Sequence, residues 1–166
     1  MRLTQNLLLV AFVLSVIYTD WRWQRIFNAI TYPAMLAGLA LGALEGIPGE
    51  LFRGGLLDHL AGLGLGFAVS YPFYAAGGLK AGDAKLLMAV GALRGSAFLL
   101  YAAFYGALIG GLIAIGFIAF RRLSRPAPGE APTTIGRLMR MWIPYGVALG
   151  LGALVALALE ARVDVG

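Results

Sequence analysis

Residues 97–120 read AFLLYAAFYGALIGGLIAIGFIAF, a run of 24 residues without a charged side chain. A helix needs roughly 20 apolar residues to cross the hydrocarbon core of a bilayer, so this run is long enough. Helices satisfy their own backbone hydrogen bonds, which lets them span a solvent that offers none. The run therefore predicts a transmembrane helix.

The composition of the whole chain agrees with this prediction. Of its 166 residues, 60% are hydrophobic and 13% are charged, whereas a soluble domain carries about 25% charged residues. A chain of this length is interpreted as a single domain, residues 1–166. It contains no cysteine, which excludes disulfides and cysteine-based zinc sites. The net charge of +5 is interpreted as a topology signal, because no soluble basic face is available to bind nucleic acid.

Shorter apolar stretches lie on both sides of this run. The segments that they define are Leu3–Tyr18, Ala29–Leu44, Leu56–Ala76, Ala84–Leu93 and Trp142–Leu159. Together with residues 97–120 they predict an all-α, polytopic membrane helix bundle of about six transmembrane helices. The ten residues of Ala84–Leu93 make only about 15 Å of helix, so this segment is interpreted as a thin or tilted crossing.

The distribution of basic residues predicts the orientation. With six crossings, one side carries nine basic residues: Arg22, Arg25, Lys80, Lys85, Arg121, Arg122, Arg125, Arg137 and Arg140. The other side carries four: Arg2, Arg53, Arg94 and Arg162. Cytoplasmic loops are enriched in lysine and arginine, so the first side is expected in the cytoplasm and both termini outside.

Acid–base chemistry has few candidates in this chain. Most acidic residues fall in outward loops or in the proline-rich segment, where they are interpreted as solvated: Glu45, Glu50, Asp58, Glu130, Glu160 and Asp164. His59, the one histidine, is interpreted as a surface or packing residue. The two aspartates that remain are Asp20 and Asp83.

Asp20 and Asp83 both lie where a helix meets a cytoplasmic loop, at the same membrane depth. An ionised group there needs a polar cavity or a partner, which makes both residues functional candidates. Two neighbouring carboxylates share a proton, so that one acts as a base while the other acts as an acid. This arrangement activates water for attack on a peptide carbonyl. The alternative is that each aspartate merely pairs with nearby Arg22, Arg25, Lys80 or Lys85.

The segment from Gly77 to Lys85, GGLKAGDAK, is rich in glycine. A phosphate-binding loop requires Lys and then Ser or Thr after its last glycine, but here Asp83 follows Gly82, and a carboxylate would repel phosphate. The glycines instead let the backbone enter the membrane edge closely and place Asp83 in a restricted pocket. No cofactor and no metal site are expected.

Three stretches resemble the prepilin peptidases, which are membrane-embedded aspartic proteases of the GxGD type. They are TDWRWQRIFN at residues 19–28, AGDAKLL at residues 81–87, and IPYGVAL at residues 143–149. A strict GxGD motif would place glycine at Lys80, so only its second half, Gly82-Asp83, is present. Larger members carry a cysteine-bearing zinc module and methylate the new N-terminus. Without cysteine and with a short loop after Asp20, the chain resembles the small Tad-type members that serve Flp-like pilins.

The resemblance implies an aspartic endopeptidase of the bacterial inner membrane that cleaves leader peptides from type IV or Flp-like prepilins or pseudopilins at the cytoplasmic face. It implies Asp20 and Asp83 as catalytic residues and Gly82 and Lys85 as supporting ones, without methyltransferase activity. Lys85 either tunes Asp83 electrostatically or anchors its helix at the lipid headgroups. The expected partners are the prepilin substrates and membrane lipids, and no nucleic acid.

Other classes of membrane protein remain open at this point. In a small proton- or cation-coupled transporter, Asp20 and Asp83 would carry the ion. A lipoprotein signal peptidase is also an aspartic membrane enzyme of this size, but its active site would lie on the outer side, and its motifs are missing here. A purely structural membrane subunit would leave the placement of the two aspartates unexplained.

Overall fold

The computed structural model describes residues 2–123 and 145–163, and every regular element in these ranges is a helix. The helices, in chain order, are α1 (Arg2–Trp23), α2 (Asn28–Glu45), α3 (Leu56–Ala75), α4 (Ala81–Leu123) and α5 (Tyr145–Val163). The predicted all-α class is confirmed. Glu130, Asp164 and the start of the predicted segment Trp142–Leu159 lie outside the described residues.

Helix α4 consists of two arms. Gly95 has a non-helical backbone conformation, with φ of 83° and ψ of 178°, and it separates residues 81–94, the first arm, from residues 96–123, the second arm. Only glycine adopts such a positive φ at little cost. The predicted break between Ala84–Leu93 and Ala97–Phe120 therefore falls at Gly95.

The contacts of the first arm give its direction. Lys85 bonds to Asn28 at the start of α2, and Gly38 further along α2 lies against Ala92, so α2 and the first arm run parallel. Helix α1 runs the opposite way, because Gln5 near its start bonds to Glu45 at the end of α2.

The contacts of α5 show that the second arm runs back. Gly146 lies against Asp20 at the end of α1, and Gly150 lies against Val13, so α5 is antiparallel to α1 and parallel to the first arm. The second arm is antiparallel to α5, because Gly106 packs on Leu149 and the earlier residue Ala102 packs near Gly152. Helix α3 is antiparallel to the first arm, because Gly62 lies against Gly91 and the later Gly66 lies against the earlier Met88. Within the described residues, the direction of the chain thus alternates through six helical segments.

The two ends of the bundle gather different helix ends. At the cleft end, α1 finishes at Trp23 and α2, α4 and α5 begin. The start of α1, the Gly95 break and the end of α5 lie at the opposite end, which we call the clasp end. Arg2 and Val163, the first and last described residues, both lie at the clasp end.

A buried apolar core joins α1, both arms of α4 and α5. Its fully buried members include Leu9, Val13, Val16, Leu86, Val90, Leu93, Leu99 and Ala153. The second arm exposes Phe104, Leu108, Leu112 and Ile115 at helical spacing along one face. Such a face suits lipid, which is as apolar as the side chains that meet it.

Among the described residues, three helices are long and apolar enough to cross a membrane by length and composition: Arg2–Trp23, Ala81–Phe120 and Tyr145–Arg162. The apolar helices agree with the predicted membrane class. The alternating directions are those that six crossings require, since Ala81–Phe120 includes both arms of α4. The number of crossings and the outward placement of the termini stay predictions.

Candidate active site

Asp20 lies in the last turn of α1, and the start of α5 holds its carboxylate. The residue is only 6% exposed. The backbone N–H of Val147 donates a hydrogen bond of 3.3 Å to Oδ2 of Asp20, and the N–H of Gly146 also interacts with this carboxylate. The first N–H groups of a helix have no partner within the helix and carry partial positive charge. The start of α5 therefore supplies a site for the negative charge of Asp20.

Gly146 leaves the space that this contact occupies. A Cβ atom at this position would lie 2.7 Å from Oδ2 of Asp20 and 2.9 Å from its Cγ, closer than real Cβ contacts. The resemblance of residues 143–149 to the family did not predict a role for Gly146. The signal that could have revealed it is a glycine in the first turn of a helix, where other residues have better helix propensity.

Asp83 is held at the start of its own helix. It is 3% exposed, and its Oδ2 accepts a hydrogen bond of 3.0 Å from the backbone N–H of Lys80. The N–H of Asp83 in turn donates to the carbonyl oxygen of Lys80, also at 3.0 Å. A carboxylate that bonds back to the residue before the helix is one half of a capping box. This local pattern fixes the direction in which the side chain of Asp83 points.

The two carboxylates face one cleft of about 180 Å³. Its lining residues are Asp20, Gln24, Arg25, Ile26, Lys80, Gly82 and Asp83. The aspartates are close enough for the charge of Asp20 to act on Asp83. The structure thus brings together the two residues that were predicted from the sequence, which lie more than 60 positions apart in the chain.

The described basic side chains nearby form no ion pair with either carboxylate. Within the described part of the chain, neither Asp20 nor Asp83 forms an ion pair with a lysine or arginine. The guanidinium of Arg22 lies over the ring of Trp23, 5.9 Å from its centroid. The side chain of Lys80 is near enough for its charge to act on both aspartates, while its backbone N–H bonds to Asp83. The alternative of simple ion pairing is therefore not realised among these residues.

The predicted supporting residues, Gly82 and Lys85, both contact neighbouring parts of the bundle. A Cβ atom at Gly82 would lie 3.1 Å from Cβ of Ile26, so glycine lets the start of α4 approach the connection between α1 and α2. Lys85 donates a hydrogen bond of 2.8 Å from Nζ to Oδ1 of Asn28 and lies over the ring of Tyr32. Lys85 thus links the first arm to α2, a role that the sequence analysis did not consider. Asn28 was part of a quoted motif but had no assigned role.

The interpretation of Asp58 as a solvated charge was wrong. Asp58 is 5% exposed, and its Oδ1 accepts hydrogen bonds from the N–H of Ser96 at 3.0 Å and the N–H of Phe52 at 3.1 Å. The hydroxyl of Ser96 also donates to it. The Gly95 break frees the Ser96 N–H from helical bonding and aims it at Asp58, which the linear sequence does not reveal.

His59 is also buried, at 1% exposure, so its interpretation as a packing residue holds and the surface alternative does not. Its Nδ1 lies 2.6 Å from the carbonyl oxygen of Ala92, and its Nε2 lies 3.5 Å from Glu45. Glu45 is therefore not a freely solvated charge either. Glu50, in contrast, is exposed as predicted and pairs with Arg53 on the surface.

A larger cavity of about 1100 Å³ lies at the clasp end. It is lined by side chains that already bond to one another, such as Arg94 with Glu160 and Gln5 with Glu45. Among the described residues, no group of three or more histidine or acidic side chains is placed to hold a metal ion. Size alone therefore does not make this cavity the better candidate, because the charged groups of Arg94, Glu160 and Glu45 in it already bond to neighbouring side chains.

The fold and the cleft define a class: a helical membrane protein with two buried carboxylates brought together at one end. The sequence model of the type IV leader peptidase family matches residues 7–115, more than half of the chain, and the chain belongs to this family. The matched range includes both Asp20 and Asp83 and both supporting residues. The predicted resemblance is confirmed, and membership implies a peptidase. No curated protein and no solved structure gives a significant match.

Proposed function

We propose that this protein is a membrane-embedded aspartic endopeptidase that removes leader peptides from type IV or Flp-like prepilins or pseudopilins. The observation that carries the proposal is the pair Asp20 and Asp83 in one cleft. Each carboxylate is held by backbone N–H groups, and neither is neutralised by an ion pair within the described residues. Membership of the type IV leader peptidase family supports the substrate class.

The chemistry needs one ionised and one protonated carboxyl group. The ionised carboxylate takes a proton from a water molecule, whose oxygen attacks the carbonyl carbon of the scissile peptide bond. The protonated carboxyl group donates its proton to the carbonyl oxygen, giving a tetrahedral diol. The C–N bond then breaks as the pair donates its proton to the leaving amine nitrogen, and one hydroxyl of the diol returns a proton to the pair, which gives a carboxylic acid, an amine and the original singly protonated pair. Atoms and charge balance without a metal or a covalent intermediate.

The backbone contacts suit this chemistry because they leave oxygen atoms available. A hydrogen bond from one N–H fixes the direction of a carboxyl group without occupying all of its roughly four acceptor positions. Groups held in place before the substrate arrives need no reorganisation during the reaction. Asp20 depends on α5 for this, and Asp83 depends on the start of α4.

The proposed location is the cytoplasmic face of the bacterial inner membrane. The nine-to-four division of basic residues supports a cytoplasmic cleft, since Lys80 and Arg25 line it and count among the nine. A reporter that is active only in the cytoplasm should be active when fused after Arg125 and silent when fused after Gly49. The opposite pattern would overturn the orientation.

A direct assay tests the proposed activity. Purified protein in detergent is incubated with an Flp-like prepilin that carries its leader, and the N-terminal mass of the pilin is measured. We expect loss of the leader and a bare N-terminal amine even with a methyl donor present, because the chain has no cysteine for the zinc module of the methylating members. An uncut prepilin, with ion flux in liposomes that depends on Asp20 and Asp83, would support the transporter alternative instead.

A further inference from the structure

Lys80 occupies an unusual place beside the cleft. It directly precedes α4, and its backbone N–H holds Oδ2 of Asp83 at 3.0 Å. Its side chain is exposed, and the residue lines the cleft together with Asp20 and Asp83. The proposed catalytic chemistry does not use this side chain. A strict GxGD motif would have no side chain here at all.

The basic side chains at the cleft end have different interaction partners. Arg25 lines the cleft from the connection between α1 and α2, Arg22 lies on Trp23, and Lys85 on the first arm is bonded to Asn28 of α2. Helix α5 faces Asp20 with backbone N–H groups. Lys80 lines the same cleft as both aspartates, and within the described part of the chain its charge acts on both of them.

We infer that Lys80 acts through the aspartate pair as a positioning residue: the ammonium group of Lys80 sets the pH range in which the two aspartates together hold a single proton. This inference rests on the proposed function. A nearby cation favours the ionised form of a carboxyl group. The pair therefore loses its first proton, and later its second, at lower pH than it would without Lys80.

Removing the charge of Lys80 should displace the pH profile of cleavage toward higher pH. Activity requires one proton on the pair, so it falls on the acidic side where both groups are protonated and on the alkaline side where both are ionised. Removing the charge of Lys80 moves both limbs of the profile toward higher pH. A merely structural role would lower activity at every pH without displacing the limbs.

The test is the pH profile of kcat/KM for prepilin cleavage by the wild-type protein and four variants. We expect Lys80→Gln to shift both limbs of the profile toward higher pH by about half a pH unit or more. This is a fraction of the effect of a closely paired charge, because the side chain of Lys80 is exposed. Lys80→Arg should keep the wild-type profile, since it keeps the charge. Arg22→Gln removes the same charge from the same end but outside the cleft, and its profile should also stay in place. High salt should move the wild-type profile toward that of Lys80→Gln.

Several results would overturn the inference. An unmoved Lys80→Gln profile, or an equal loss of activity at every pH, would contradict it while leaving the proposed function intact. A Lys80→Arg profile displaced as far as that of Lys80→Gln would also contradict it. If the wild-type protein cuts no prepilin at any pH, the proposed function fails and this inference fails with it. Lys80→Gly restores the strict motif and keeps the backbone N–H, so it should shift in the same way as Lys80→Gln even if glutamine disturbs the cleft.

Discussion

The two ends of the bundle both bury aspartates, and the bonding of their oxygens differs. At the clasp end, Asp58 accepts hydrogen bonds from Ser96 and from Phe52, three donors in all. At the cleft end, Asp83 accepts from one backbone N–H, and Asp20 is held by the start of α5. A carboxylate satisfied by the protein stabilises the fold, whereas one with free acceptor positions is available to water and substrate.

The neighbouring charges show the same contrast. At the clasp end, Arg94 bonds to Gln5 and Glu160, and Gln5 bonds to Glu45, so α1, α2, the first arm of α4 and α5 are tied together. At the cleft end, the described lysines and arginines form no ion pair with the aspartates. Burial alone therefore does not identify a catalytic carboxylate in this protein. The proposed catalytic aspartates differ from Asp58 in accepting fewer hydrogen bonds from the described residues.

The largest expected effect comes from the cleft end. Asp20→Asn and Asp83→Asn should each lower the rate of prepilin cleavage on the order of 10³-fold or more, because asparagine can neither take the proton from water nor return one. Asparagine still accepts the backbone N–H bonds, so the midpoint of thermal denaturation should stay close to that of the wild type. Cleavage rates are measured with proteins matched for folded amount. Glu50→Gln, an exposed carboxylate at the other end, is the control and should retain activity within a few-fold.

The same substitution at the clasp end, Asp58→Asn, should lower stability and leave the cleavage rate nearly unchanged. Asp58→Asn loses a charge-assisted acceptor for Ser96 and Phe52, which should cost about 1–3 kcal/mol of stability. The denaturation midpoint in detergent should fall by several degrees, at roughly 2–4 °C for each kcal/mol in a chain of this size. Cleavage by the protein that remains folded should stay within a few-fold of wild type. Loss of activity without loss of stability would erase the distinction between the two ends.

A smaller effect is expected where α5 supports Asp20. Gly146→Ala places a methyl group against the carboxylate, so Asp20 must move away from the start of α5. Displacements of about 1 Å at a catalytic group cost up to 10²-fold, and we expect a loss of about 10- to 100-fold in cleavage rate. Gly64→Ala is the matched control, since a Cβ atom there meets no atom within 4 Å. Equal activities for the two variants would show that α5 does not position Asp20.

Sequence reasoning succeeded where the signal is local. The helices follow from apolar runs, the break at Gly95 follows from Arg94-Gly95-Ser96 between two such runs, and Asp20 and Asp83 stand out as charges at the edges of apolar segments. It missed what depends on which helices meet. The role of Gly146 exists only because α5 packs on the end of α1, and the burial of Asp58 exists only because Ser96 faces α3. Neither packing contact is encoded by spacing along the chain.

The most direct test of the aspartate pair is a double-mutant cycle on prepilin cleavage. Rates are measured for the wild type, Asp20→Asn, Asp83→Asn and the double variant, each checked for folding by thermal denaturation. If the two carboxyl groups act as one unit, removing either disables it, and the double variant should be no more than a few-fold slower than the slower single one. Multiplying losses would mean that the aspartates act independently. A folded single variant with near-normal cleavage would contradict the paired mechanism.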